Sequence, residues 1–198
     1  MAAISTLTSV LLFTLPLLLG ACVPSDKKLW RASDFGTRFA CDAGETDELA
    51  SLLLTSREMA IKQLISKPEN FSTPVLLLSA CAFLPLMLLT FGAATPAGIF
   101  MPTIFIGCSL GGIVGQLLQA RLGADKVTEG TFALMGAVAM LGGVMRSSIS
   151  LCVIILEGTG QVQLLVPIIV TTVAARYVGN LLLSLIHISE PTETRHDL

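Results

Sequence analysis

A run of 51 residues without a charged side chain, from Asn70 to Ala120, constrains this chain more than any other feature of its sequence. A helix that crosses the hydrocarbon core of a bilayer needs about 20 apolar residues. Only 13% of the 198 residues are charged and 53% are hydrophobic, whereas soluble domains carry about 25% charged residues. The sequence therefore predicts an integral, multi-pass membrane protein. Its candidate spans are 2–23, 74–91, 97–120, 130–145, 147–156 and 161–186.

The distribution of charge divides the chain into four parts. They are a transmembrane helix at 1–23, a polar connecting segment at 24–73, a set of membrane helices at 74–183 and a tail of different character at 184–198. Within the connecting segment, apolar residues recur at helical spacing over 46–66 and predict an amphipathic helix, which Ser56 could split in two. Such a helix is expected at the membrane interface or as a cover on the membrane domain.

The N-terminal helix has one alternative. "LLLGAC" at 17–22 resembles a lipoprotein cleavage site, so 1–23 could be a signal peptide processed at Cys22. A signal peptide has a basic n-region, but no Lys or Arg precedes Lys27. The transmembrane helix is therefore favoured.

Other classes of function find little support in the composition. The formal net charge is −2 with no basic run, which indicates no nucleic-acid partner. The five cysteines are scattered without metal-ligand spacing, and Cys81, Cys108 and Cys152 are interpreted as small hydrophobic side chains. No nucleophile–base pair supports an enzyme, and no cofactor is expected.

The stretch "PAGIFMP", residues 96–102, interrupts the uncharged run. Pro96 disfavours helix at the residue before it, Gly98 permits a tight turn, and Pro102 suits the first turn of a new helix. One helix is therefore predicted to end near 91–94 and another to run from about 99 to 119. The N–H groups of 98–101 then lack intrahelical partners, which is costly in hydrocarbon unless a ligand accepts from them.

These N–H groups predict an anion site. A helix N-terminus combines free donors with about +0.5 of an elementary charge. The side chains of 96–102 include no basic group and no cation ligand, so the anion would be held by dipoles, weakly enough to leave, as conduction requires. A plain helix–loop–helix corner at the membrane surface is the alternative.

Glycines predict how these helices pack. Gly107, Gly111 and Gly115 recur at four-residue intervals, which places small residues on one helix face and lets a neighbouring helix approach closely. Gly142-Gly143 interrupts a later apolar run and is predicted to divide it into two short helices. Short segments interrupted by Gly or Pro are typical of broken helices around a transport site.

The motif and its surroundings resemble a known family. "GIFMP" matches the G-x-F-x-P signature of the CLC family of chloride channels and anion/proton exchangers. "TFGAATPAGIFMPTIFIGCSLGGIVGQ" (90–116) and "EGTFALMGAVAMLGGVMRSSISLCVIILEGTG" (129–160) are similar to eukaryotic members, most of all the plant, algal or intracellular branch. Residues 40–66 resemble the family's segment between two membrane helices. The likeness covers about 4–180.

The resemblance implies an all-α membrane protein, a CLC-type bundle of tilted, broken helices of which this chain forms the C-terminal half. It implies that the backbone amides of Ile99 and Phe100, flanked by Gly98 and Met101, hold chloride or nitrate, in a turn shaped by Pro96 and Pro102. It also implies a homodimer in a lipid membrane, with an intracellular organelle as a candidate location. Interface candidates on the two late helices are Ile149, Ile154, Ile155 and Leu165.

The sequence also departs from the family. The family's G-S-G-I-P motif and its G-K/R-E-G-P motif, which carries the gating glutamate, do not occur in these 198 residues. Aligned through "VGN", His187 stands where the family has a pore-lining tyrosine, and 184–198 is interpreted as an artefact of sequencing or gene prediction. Two functions are expected as alternatives. One is part of a channel or antiporter, and the other is a truncated, non-transporting subunit that associates with full-length partners.

Overall fold

The computed structural model describes residues 2–20, 22–24, 41, 45–66, 71–92, 98–122, 129–145, 149–159 and 162–186. In these residues the elements are α1 Ala2–Leu19, β1 Cys22–Pro24, β2 Glu45–Asp47, α2 Glu48–Leu53, α3 Arg57–Ser66, α4 Thr73–Gly92, α5 Phe100–Leu122, α6 Glu129–Met145, α7 Ile149–Thr159, a 3₁₀ turn Val162–Leu164 and α8 Leu165–Ile186. The predicted all-α fold is confirmed, with one short β-ribbon added. Most of the predicted tail lies outside the described residues.

The uncharged run forms the two helices of the described chain that are long and apolar enough to cross a membrane. By length and composition, α4 over Thr73–Thr90 and α5 over Phe100–Leu122 could each cross a membrane. The apolar stretches of α1, α6 and α8 are shorter in the described residues. The two long helices are separated at the PAGIFMP motif, so the break in the run is a break between helices.

A ribbon and a disulfide tie the connecting segment to the end of α1. The two strands pair antiparallel with Cys22 opposite Asp47, and Cys22 forms a disulfide with Cys41, with 5.9 Å between their Cα atoms. Sequence reasoning found no partner for either cysteine. The disulfide uses the Cys22 sulfur in this structure, and the transmembrane and signal-peptide interpretations of 1–23 both stay predictions.

The amphipathic helix predicted over 46–66 is two helices, α2 and α3, separated at 54–56. Asp47 caps α2, because its Oδ1 accepts from the Leu49 N–H at 3.0 Å. The Ser56 carbonyl accepts the first bond of α3, from the Ala60 N–H at 3.0 Å. All six residues of α2 are buried, so α2 is packed inside the protein and does not lie on a membrane surface.

The connecting segment docks where α4 begins and α5 ends. The Ser72 N–H donates to Glu48 Oε2 at 2.9 Å. At the far end of α5, Gln116 Nε2 donates to the Phe71 carbonyl at 2.8 Å and its Oε1 accepts from the Thr73 hydroxyl at 2.6 Å. The ribbon, the start of α4 and the end of α5 therefore share one end of the molecule.

Glycines bring α5 and α6 into close contact. A Cβ on Gly107 would lie 2.6 Å from the Gly136 carbonyl oxygen, and a Cβ on Gly111 would collide with the Phe132 carbonyl. Gly115 is buried on the same helix. Such contacts leave no room for a side chain at Gly107 or Gly111.

The predicted division of this run into two short helices is confirmed, because α6 ends at Met145 and α7 begins at Ile149. The predicted position of the break is wrong, because Gly142 and Gly143 lie inside α6. Gly142 faces Thr172 of α8, where an added Cβ would lie 3.2 Å from Cγ2. Further along, Gly179 of α8 meets the backbone of Gly143. These glycines serve the approach of α8 to α6 and do not end the helix.

Two apolar clusters form the core. The first joins α2, α3, α4 and α5 around Phe71, Leu64 and Phe105, and the second joins α6, α7 and α8 around Val138, Leu141, Cys152, Ile155 and Ile168. Cys108 and Cys152 are buried, as expected of small hydrophobic side chains, but Cys81 is exposed. Phe100 of the PAGIFMP motif packs against the second cluster.

Candidate functional site

The motif forms the start of a helix, as its prolines and glycine predict. α4 ends at Gly92 and α5 begins at Phe100, while Pro96 and its neighbours 93–97 lie outside the described residues. The Ile99 carbonyl accepts the first helical hydrogen bond, from the Thr103 N–H at 3.2 Å. Ile99 is therefore the N-cap residue of α5, and Pro102 occupies the third helical position.

This register determines which N–H groups have no helical partner. The N–H groups of Ile99, Phe100 and Met101 precede the first i to i−4 bond of α5. Pro102 has no N–H to satisfy. Three donors remain at the positive end of a 23-residue helix. Gly98 is exposed just before them, and a Cβ there would meet no described atom within 4 Å.

Thr103 fixes the peptide unit next to these donors. Its side chain is fully buried, and its hydroxyl donates to the Ile99 carbonyl oxygen at 2.7 Å. In a trans peptide the carbonyl and the following N–H point in opposite directions, so holding the Ile99 carbonyl also orients the Phe100 N–H away from the helix body. Sequence reasoning missed Thr103; a Thr four residues after an N-cap is the available signal.

A cavity of about 230 Å³ opens beside the motif, and we call it the motif cavity. It is lined by Gly98, Ile99 and Pro102 of the motif, Phe83, Leu86, Met87 and Thr90 of α4, and Thr8 and Leu12 of α1. None of these described lining residues is charged. The Thr90 hydroxyl donates to the Leu86 carbonyl at 2.7 Å. The cavity is therefore a mainly apolar space with a helix N-terminus in its wall.

A second cavity lies on the other side of Ile99. It has a volume of about 350 Å³ and is lined entirely by apolar residues: Leu84, Met87, Leu88, Ile99, Met140 and Val144. Ile99 and Met87 line both cavities. The N-cap residue of α5 thus lies between two spaces, one bounded by α1 and one bounded by α6.

A cation lies behind the wall of the motif cavity. The Arg57 guanidinium carbon is 4.2 Å from the ring centroid of Phe83 and 5.8 Å from that of Phe105. Its nitrogens donate to the carbonyls of Leu52 and Leu53 at 3.3 and 3.1 Å. Burial lowers the pKa of Arg57 from its ordinary value. Sequence reasoning assigned no role to Arg57, because its ring contacts depend on tertiary packing.

The interface candidates differ in their surroundings. Ile154 of α7 is 49% exposed, whereas Ile155 is 8% exposed and packs in the second apolar cluster. Leu165 begins α8 and is partly buried. Ile149 begins α7, but its side chain is not among the described parts of the structure. Ile154 is thus the candidate whose side chain offers apolar surface to a partner.

Among the residues that the structure describes, no group of three or more His, Cys, Asp or Glu could hold a metal ion. The polar groups at the motif are instead hydrogen-bond donors, the N–H groups of Ile99, Phe100 and Met101. Donors at a helix N-terminus, beside a cavity with no charged lining residue, can hold a small anion by dipoles alone.

Comparison with known proteins places these residues in a family. The family model described as voltage gated chloride channel matches residues 1–180. Chloride channel protein CLC-b of Arabidopsis thaliana is 35% identical over 187 residues, which cover 89% of this chain. H(+)/Cl(-) exchange transporter 7 of Mus musculus is 33% identical over 142 residues, 71% of this chain. The chain spans 23% of the length of the first of these relatives and 18% of the second.

Proposed function

Because this chain belongs to the voltage gated chloride channel family, the CLC family, we propose that it supplies one wall of an anion-transport site. The observation that carries the proposal is the start of α5, where the N–H groups of Ile99, Phe100 and Met101 lack helical partners beside the motif cavity. The relatives are named chloride channels and an H(+)/Cl(-) exchange transporter. Chloride is therefore the proposed ligand, and nitrate is the alternative.

The proposed mechanism uses the main chain alone. A dehydrated anion accepts hydrogen bonds from the Ile99, Phe100 and Met101 N–H groups and lies in the positive field of α5. No charged side chain lines the described wall of the cavity, so the anion is not trapped by a full opposite charge. An anion held without a full opposite charge is bound weakly enough to be released, which conduction requires.

The second candidate function is that of a non-transporting subunit. Its support is that these 198 residues contain neither G-S-G-I-P nor G-K/R-E-G-P, and that α7 exposes the apolar side chain of Ile154. In this proposal the chain associates with full-length relatives in a lipid membrane, organellar or otherwise. In the first proposal it would pair with a second copy of itself, as the family resemblance implies. Co-purification with such a relative, without anion flux from the chain itself, would favour it.

Anion binding is tested by titrating chloride into the purified chain in detergent micelles and following the ¹⁵N-labelled backbone amides. Ionic strength is held constant with gluconate, which is too large for the site. We expect saturable shifts at Ile99, Phe100 and Met101, and none at amides in the middle of α5. Equal shifts in chloride and gluconate, or no shifts, would contradict the proposal.

A matched pair of variants tests the individual donor. Phe100→Pro deletes one N–H at the first helical position, where proline is well tolerated. Phe100→Ala removes the ring and keeps the N–H. Since a hydrogen bond to a charged group contributes about 1.5–3 kcal/mol, Phe100→Pro is expected to weaken chloride binding by about tenfold or more relative to Phe100→Ala. Equal chloride affinities of the two variants would show that the Phe100 N–H does not bind the anion.

A further inference from the structure

Arg57 occupies an unusual position for a cation in an apolar protein. It is the first residue of α3 and is half-buried. Its guanidinium lies over the face of Phe83 and near Phe105. The two rings are themselves in edge-to-face contact, with centroids 4.8 Å apart. Arginine stacked on aromatic faces keeps its charge while it gives up part of its hydration.

The charge of Arg57 is not neutralised at close range by the described residues. Its contacts there are the Leu52 and Leu53 carbonyls and the two rings, and none is with a carboxylate. The neighbouring Glu58 is exposed. A half-buried charge without an ion pair acts over a longer distance than a solvated one, because water and salt screen it less.

Phe83 connects this charge to the motif cavity. The Phe83 side chain lines the cavity that Gly98 and Ile99 also line, and the same ring carries the Arg57 guanidinium at 4.2 Å. One aromatic ring therefore separates the cation from the space in front of the α5 N-terminus. Two sources of positive potential, the helix end and the guanidinium, act on one cavity.

We propose that Arg57 is a positioning residue for the anion: from behind Phe83, its charge strengthens the binding of a monovalent anion in the motif cavity. The proposal rests on the proposed function, since it concerns the same anion. At an effective dielectric constant of about 20, unit charges about 10 Å apart interact strongly enough to change an affinity by about tenfold. Arg57 thus supplies electrostatic attraction without a trapping contact.

Arg57 also has a structural role, and the test must distinguish that role from the electrostatic one. Its two hydrogen bonds satisfy carbonyls at the end of α2, so any substitution there costs stability. Arg57→Lys keeps the charge and loses the paired hydrogen bonds. Arg57→Gln loses the charge and keeps a polar side chain. A structural role predicts that both variants affect chloride binding alike, whereas an electrostatic role predicts that only Arg57→Gln does.

The matched control is Arg121→Gln. Arg121 is exposed in the last turn of α5, about 30 Å along the helix from Phe100. Its removal changes the net charge as much as Arg57→Gln does. In the chloride titration of the amides, we expect Arg57→Gln to weaken binding by about five- to tenfold. Arg57→Lys should remain within about twofold and Arg121→Gln should equal the wild type.

A second variant keeps the test decisive if Arg57→Gln does not fold. Ser56 is the N-cap of α3 and is exposed, and aspartate caps a helix about as well as serine. Ser56→Asp places a negative charge beside Arg57 without removing any of its contacts. At low ionic strength we expect about a two- to threefold weaker affinity for chloride.

The outcomes distinguish this inference from the proposed function. If the wild type shows no saturable chloride shift, the anion site itself is wrong, and the role of Arg57 with it. If the wild type binds chloride and Arg57→Gln binds it equally well, the site stands and the role of Arg57 is overturned. Equal weakening by Arg57→Lys and Arg57→Gln would also overturn it, as would an unchanged affinity in Ser56→Asp.

Discussion

The Thr103 hydroxyl lies one helical turn behind the donors of the proposed anion site. Thr103→Val keeps the shape of the side chain but removes the bond to the Ile99 carbonyl, so we expect a loss of about 1 kcal/mol in the free energy of unfolding. We also expect faster hydrogen exchange at Phe100 and Met101. Thr103→Ser should keep both close to wild type. Unchanged exchange in Thr103→Val would show that the helix backbone alone fixes this peptide.

We predict that Gln63 of α3 destabilises the fold locally. Both its Nε2 and its Oε1 are buried, and neither has a hydrogen-bond partner among the described residues. An unsatisfied buried polar group costs about 1–3 kcal/mol, so Gln63→Met should raise the melting temperature in detergent. Gln116→Met is the control, because Gln116 bonds to Phe71 and Thr73, and it should lower the melting temperature. A destabilised Gln63→Met would mean that its amide does have a partner.

Asp47 predicts a pH dependence of stability. Its side chain is 2% exposed, and burial raises its pKa above the ordinary value of 3.8, although the Ala50 and Leu49 amides oppose that shift. The folded chain then holds the proton more tightly than the unfolded chain. The free energy of unfolding should therefore increase as pH falls from above the raised pKa towards 3.8.

Asp47→Asn removes the titrating carboxyl and keeps a good N-cap. We expect it to remove this part of the pH dependence and to be at least as stable as the wild type at pH 7, measured by thermal unfolding between pH 4 and 8. Glu58→Gln, at an exposed position, should leave the dependence in place. An unaltered pH profile in Asp47→Asn would assign the effect to another group.

At the scale of elements, the packing of α5 on α6 depends on particular glycines. A Cβ on Gly111 would collide with the Phe132 carbonyl and lie 2.9 Å from the Gly136 Cα, both backbone atoms. The adjacent Gly112 would place its Cβ 3.5 Å from Leu76 Cδ1, an ordinary contact. Gly111→Ala should therefore cost about 1–3 kcal/mol, while Gly112→Ala should be neutral or stabilising by up to about 1 kcal/mol. Similar melting temperatures for the two variants would contradict this packing.

The helices that sequence predicted well are those whose signals are local. The end of α4 and the start of α5 follow from Pro96, Gly98 and Pro102, which act on their own backbone. Gly142-Gly143 misled the prediction only of where the helix ends, because a glycine pair that admits a neighbouring helix has the same local signature as a helix break. The β-ribbon was missed because its partner strands are 20 residues apart in sequence and only three residues long.

The residues of the proposed site also divide into those with a local sequence signal and those placed by non-local packing. The donors of Ile99, Phe100 and Met101 were predictable, since backbone groups at a helix start need no tertiary information. Arg57 was not, because its position over Phe83 depends on how α3 packs against α4 and α5. The Cys22–Cys41 pair likewise depends on how the polar segment folds back. Non-local contacts of this kind leave no periodic pattern in a single sequence.

At the scale of the whole molecule, one wall of a site does not make a conducting pathway. The 198 residues place donors on one side of the motif cavity and do not contain the family's other two motifs. We therefore expect liposomes that contain this chain alone to release chloride no faster than protein-free liposomes, although the chain binds chloride in micelles. Chloride efflux above the protein-free rate would show that these residues suffice for a pathway.

The disulfide of the ribbon has a consequence for direction in the membrane. Disulfides persist in oxidising compartments and are rare where glutathione keeps thiols reduced. The ribbon shares an end of the molecule with the beginning of α4 and the end of α5, so we predict that this end faces an oxidising compartment, a lumen or the cell exterior. The opposite end of α5, with the Ile99 amides, would then point towards the cytosol. Anions that approach from the cytosol would meet the positive N-terminal end of α5 first. Anion entry would therefore be favoured from the cytosolic side.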